Sequence, residues 1–155
     1  MIYTRAIVVA AKCNMMEQLN NKGVIVHPLL THDPQRMQGQ IGIISNIVHE
    51  NDEVYVEFPY NKTGIYSRDA VLTLLPKEML LAHIHDKLEE LEPKDARILL
   101  DIYRLQRNGQ PAAIEEALRW AIGYDTIGRD ALVTVKDYID RGLSEDIAQH
   151  HSIGR

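Results

Sequence analysis

The chain has 155 residues, 45% of them hydrophobic and 25% charged, proportions of an ordinary folded protein that exclude a disordered or fibrous class and leave room for one domain or two small ones. Its net charge of −5 divides as about +2 over residues 1 to 22, −3 over 23 to 76 and −4 over 77 to 155, so no segment carries the dense Lys and Arg track that broad duplex affinity needs. The N-terminal apolar run Ala6 to Ala11 is far short of the roughly 18 residues of a membrane span, and one cysteine, Cys13, forms no intramolecular disulfide, which suits a cytoplasmic setting without membrane contact.

Three segments follow in chain order. From Thr4 to Asn21 the residues Val8, Ala11, Met15 and Leu19 recur at helical spacing, and Asn21-Lys22-Gly23 supplies a stop, so residues 1 to 22 are expected to form an amphipathic helix. The period then changes to short β-rich runs: Val24-Ile25-Val26, Ile41 to Val48, Val54 to Phe58 and Val71 to Leu75. Asn51-Asp52 tolerate tight-turn backbone angles and predict a hairpin between the second and third runs. In the third run Val54, Val56 and Phe58 alternate with Tyr55 and Glu57, which sends the first set to a core and the second outward.

After Pro76 the apolar period becomes helical, with prolines at starts and glycines at stops. Helices are expected from Pro76 to about Glu92, from Pro93 to Asn108-Gly109, from Pro111 to Gly123 and from Arg129 to Arg141, and Ser144 is placed to cap a last short turn before the tail that holds His150-His151. The fold class is therefore α+β, with a β-rich unit at 23 to 76 and a bundle of four to five short helices at 77 to 155.

Within the β-rich unit, Gly39-Gln40-Ile41-Gly42-Ile43-Ile44-Ser45-Asn46-Ile47 has the form G-x-x-G-x-h-x-x-h, where h is apolar, and resembles the KOW motif of SH3-like barrels. The resemblance implies a small SH3-like barrel over residues 23 to 76. There a glycine bends the chain into the strand, Ile44 and Ile47 fill the core, and Tyr66-Ser67-Arg68-Asp69-Ala70 forms a short 3₁₀ turn ahead of the last strand. It also implies an RNA, ribosome or transcription-factor role. Gln40 stands where those motifs commonly carry lysine and the segment is acidic, which moves the expected ligand from RNA to protein.

The candidate binding surface comprises Tyr55, Tyr60, Tyr66, Arg68 and Trp120, because aromatic rings give contact area at low entropy cost. Lys94, Arg97 and Arg104 form a basic stripe on the helix from Pro93, with Asp101 spaced to pair with it. No metal site or cofactor is expected: His83 and His85 lie two apart on a helix and point away from each other. His27, His32, Asp33 and His83 are the residues to inspect for a small enzyme site between the β-rich unit and the helices. The resulting reading is a non-enzymatic interaction module that binds a protein partner, with an RNA-associated factor and a small enzyme as alternatives.

Overall fold

The computed structural model describes residues 16 to 144 as a mixed α+β fold in which a six-stranded antiparallel sheet is flanked by helices. The strands are β1 (Gly23–Val26), β2 (Ile41–Val48), β3 (Glu53–Phe58), β4 (Lys62–Tyr66), β5 (Val71–Leu74) and β6 (Leu132–Thr134). The helices are α1 (Lys77–Asp86), α2 (Pro93–Asn108), α3 (Pro111–Gly123), α4 (Asp125–Ala131) and α5 (Val135–Asp140). The sheet runs β4-β3-β2-β1-β5-β6. It is open, with β4 and β6 at its edges, and closure into a barrel is not shown among the described residues.

The expected N-terminal helix lies mostly outside the described residues, as do Cys13 and the His150-His151 tail. Residues 16 to 19 are helical and the stop comes at Asn21, whose φ of 68° leads the chain into β1. No described helix is long and apolar enough to cross a membrane.

Each face of the sheet builds a core. Val24 and Val26 point one way, where they join Leu19, Ile44, Val56 and Tyr138; Ile25 points the other way, onto Leu80, Leu99 and Leu118 of α1, α2 and α3. Strand alternation alone produces this division. A fully buried Leu or Ile contributes about 1.5–3 kcal/mol, so neither core is dispensable.

The spacing of Ile44 and Ile47 would put them on opposite faces of a regular strand. The register of β2 against β3 shifts between Ile44 and Asn46, and this bulge turns both side chains into the same core. The hairpin between β2 and β3 forms at the expected place, closed by a 3₁₀ turn over His49–Asn51 and by Asp52 at φ 53°.

Three local expectations are corrected. Lys62–Tyr66 is a strand, paired along its length with β3, and Ser67 to Ala70 is a simple turn closed by Ala70 N–H donating to Ser67 O at 3.1 Å rather than a 3₁₀ segment. The helix after Pro76 stops at Asp86, and the amides of Glu90 and Leu91 both donate to Lys87 O in the turn that leads to α2; Leu88, on the expected apolar stripe, is exposed. The helix expected from Arg129 to Arg141 is split into α4, β6 and α5, because Leu132-Val133-Thr134 finds the free edge of β5 and Thr134 Oγ1 then caps α5 by accepting from Asp137 N–H at 3.0 Å. The segment after Pro76 thus returns a strand to the sheet.

Candidate functional site

A groove lies where α3 meets the outer face of β1 and β2. A Cβ on Gly23 would sit 3.1 Å from Leu118 Cδ1 and 3.2 Å from Ile114 Cγ2, so the missing side chain is what lets α3 lie close to the strand. Beside this contact is a cavity of about 620 Å³, with Ile41, Ile43 and Thr73 on the sheet side and Pro111, Ile114 and Leu118 on the helix side. Ile43 is 47% exposed on its floor. Gln106 also lines the cavity; its Nε2 donates to Leu75 O at 2.7 Å, while its buried Oε1 has no donor among the described residues.

A second cavity of about 440 Å³ shares Ile41, Phe58, Pro59 and Glu115 with the first, so the two form one groove. Its polar lining is of different character: Arg36, Lys62 and Arg119 surround it, with Glu115 the one carboxylate. Arg119 is bonded to Glu115 at 2.5 Å. Residues 23 to 76 carry three cations in all, and two of them stand here. The other end of the groove carries Lys22, whose ammonium donates to Tyr138 Oη at 3.1 Å, and Glu57.

Tyr60 stands at the rim of the second cavity, at the tip between β3 and β4. It is 95% exposed and holds φ 68°, ψ 32°, a left-handed conformation that a bulky residue adopts at a cost of about 1 kcal/mol or more. Arg36, on the opposite loop, also has a positive φ of 54°. Two strained, exposed residues therefore border one cavity.

The loop bearing Arg36 is tied down by Asp33. Its Oδ1 accepts from Gln35 N–H at 2.9 Å, its Oδ2 from Met37 N–H at 2.8 Å, and Tyr66 Oη donates to the same Oδ2 at 3.1 Å. Tyr66 is consequently 7% exposed, a core residue rather than part of a surface, and burial together with the Asp33 charge pushes its phenol well above the usual tyrosine range.

The other expected residues are dispersed. Tyr55 faces outward from β3, and its hydroxyl donates to Glu53 Oε2 at 2.9 Å; that bond, and the Glu53 charge, raise its pKa. Arg68 is committed to structure: Nε donates to Asp52 Oδ1 at 2.7 Å, its backbone N–H donates to the same oxygen at 3.1 Å, and Nη1 meets His49 Nδ1 at 3.0 Å. Trp120 is 41% exposed and stacks on Tyr124 at 6.4 Å, with Lys94 Nζ 5.5 Å from the Tyr124 ring. Arg104 pairs with Asp101 at 3.1 Å, and Arg97 is exposed on the same helix.

The residues named for an enzyme site take separate duties. His83 Nε2 meets Asp130 Oδ1 at 2.8 Å and ties α1 to α4, His27 Nδ1 accepts from Leu29 N–H at 3.1 Å, and His32 is exposed. No group of three His, Cys, Asp or Glu able to hold a metal occurs among the described residues. The groove was missed from sequence because it is built by α3, Gly23 and the tip of a strand that the pattern did not reveal; its one legible signal was Tyr60.

The Arg68 hydrogen bonds hold the Asp52 carboxyl below its ordinary value of 3.8. A depressed carboxylate contributes stability that is present above the unfolded pKa and lost as pH falls through the folded one. Stability is therefore expected to decline from about pH 5 downward, and Arg68→Gln, followed by urea unfolding across that range, should flatten this part of the decline. An acid limb unchanged in Arg68→Gln would show that the pair is not coupled to folding.

Comparison with models of known protein families, with curated proteins and with solved structures finds no match.

Proposed function

We propose that this protein is a non-enzymatic interaction module that holds an extended segment of a partner protein in the groove between β1, β2 and α3. The observation that carries this reading is the groove itself. Its volume is of the size that ordered ligands occupy, and its larger part is lined by Ile41, Ile43, Ile114 and Leu118. The strained Tyr60 at the rim supports it, because strain at an exposed aromatic serves no packing purpose.

We read β1 to β5 as an SH3-like unit. Gly39 at φ 75° bends the chain into β2, and Ile44 and Ile47 are core residues, as the motif implies.

The test is selection of random peptides displayed against the full chain. Binding peptides are expected to enrich, and Ile43→Glu should weaken them by about tenfold or more with little change in Tm, since the side chain is half-exposed. Tyr60→Asn should also weaken binding while raising stability by about 0.5–1 kcal/mol, because asparagine tolerates the left-handed region. A failure to enrich, or peptides insensitive to Ile43→Glu, would sink the reading.

A further inference from the structure

We infer that the segment taken by this groove is acidic, with a carboxylate side chain seated among Arg36, Lys62 and Arg119 while its apolar residues lie over Ile41 and Ile43. This rests on the groove being a peptide site and adds the chemistry of the ligand.

The chain is acidic overall at −5, and the unit of residues 23 to 76 has few cations, yet three cations converge on the smaller cavity against the single carboxylate of Glu115. Arg119 already satisfies Glu115, with Nη2 bonded to Glu115 Oε1 at 2.5 Å. That leaves the charges of Arg36 and Lys62 in excess. Like charges lining one cavity repel, and an anionic ligand group relieves that repulsion.

Arg36 is held at the cavity by a loop whose turn is closed by Arg36 N–H donating to Asp33 O at 3.0 Å, and Asp33 is itself anchored to β4 through Tyr66. Lys62 is the first residue of β4, and Arg119 sits on α3 one turn beyond Glu115. Three separate elements thus each deliver one cation to one cavity, and the backbone at Arg36 adopts a left-handed conformation in doing so.

A polynucleotide needs cations repeated along its backbone. Here three cations line the smaller cavity, while along the larger one the single further cation, Lys22, donates to Tyr138 Oη and is accompanied by Glu57, with Ile41, Ile43, Ile114 and Leu118 between; this disfavours a chain of phosphates and suits an apolar peptide with one anionic group.

The experiment uses the same displayed peptides and the full chain. Enriched peptides should carry Asp or Glu at a fixed distance from a pair of apolar residues. Their affinity should fall at high salt and fall about tenfold in Arg36→Gln/Lys62→Gln/Arg119→Gln, with the melting temperature monitored. Peptides that enrich without an acidic residue, or that bind the triple variant as well as the native chain, overturn this inference and leave the groove reading intact. If nothing enriches, both fall. A labelled single-stranded oligouridylate that binds with a steep salt dependence, and is lost in the triple variant, would reassign the cations to nucleic acid and overturn the peptide carboxylate.

Discussion

Asp33→Ala is expected to destabilise the protein by about 3 kcal/mol, lowering Tm by roughly 6–12 °C. Asp33 is 8% exposed, and its carboxylate is the acceptor for the amides of Gln35 and Met37 and for the Tyr66 hydroxyl. Alanine removes three hydrogen bonds to a carboxylate at once, each worth about 1 kcal/mol or more, and leaves the buried Tyr66 hydroxyl without its acceptor. Tyr66→Phe should cost only about 1 kcal/mol, because Asp33 keeps its two amide donors. The double-mutant cycle would then report a coupling between the residues. Urea unfolding of the four proteins is the measurement, and a loss below about 1 kcal/mol in Asp33→Ala would show that the loop is not anchored there. The Tyr66 phenol also sets an alkaline limit. Its folded pKa is raised, so the unfolded state releases its proton first, and stability should fall as pH rises above about 10, an effect absent in Tyr66→Phe.

The second large effect is expected at Gly42. A Cβ there would stand 2.5 Å from Val56 Cγ1, 2.8 Å from the Glu57 carbonyl oxygen and 3.0 Å from Phe58 Cδ1. Side chains can shift, but the Glu57 carbonyl belongs to the backbone of β3, which is paired with β2 at Ile43 and with β4 at Thr63. Gly42→Ala should therefore cost about 3 kcal/mol, at the upper end for overpacking. Gly39, three residues earlier, is a contrast. Nothing lies within 4 Å of a Cβ at that position, and its φ of 75° is the only obstacle, so Gly39→Ala should cost about 1 kcal/mol. Equal losses at the two positions, measured by denaturant unfolding, would mean that backbone conformation rather than close approach governs both.

These two glycines show how far the sequence could be read. The resemblance carried by Gly39, Gly42, Ile44 and Ile47 implied a glycine that bends the chain into the strand and apolar residues that fill a core; Gly39 is left-handed and both isoleucines are buried, whereas the close approach of β3 to Gly42 was not anticipated. The prolines at 93 and 111 open α2 and α3 as expected, because proline at a first helical position loses no hydrogen bond. The pattern failed at Lys62–Tyr66 and at Leu132–Thr134. Lys62-Thr63-Gly64-Ile65-Tyr66 has little apolar alternation, and Gly64 lies under the Tyr66 ring, a contact made within the strand that composition does not announce. Leu132, Val135 and Ile139 did recur at helical spacing, but a helix through them would leave the edge of β5 unpaired, and strand pairing there prevailed over local propensity.

The candidate site was less legible than the fold. Tyr66 and Arg68 were named for a candidate binding surface on the ground that aromatic rings give contact area at low entropy cost, yet their partners Asp33, Asp52 and His49 are distant in sequence and draw both inward. Tyr60 was named and does stand at the groove.

By itself the sequence determined the α+β class, the two changes of period near Gly23 and Pro76, most strand and helix starts, and the absence of a dense basic track, because these follow from local alternation, caps and charge. Only the tertiary structure decided that β6 returns to the sheet, that α3 seats against Gly23, and that Arg36, Lys62 and Arg119 meet at one cavity. Those facts depend on which elements pack together, and no spacing along one strand or one helix encodes a meeting of residues drawn from a loop, a strand end and a helix.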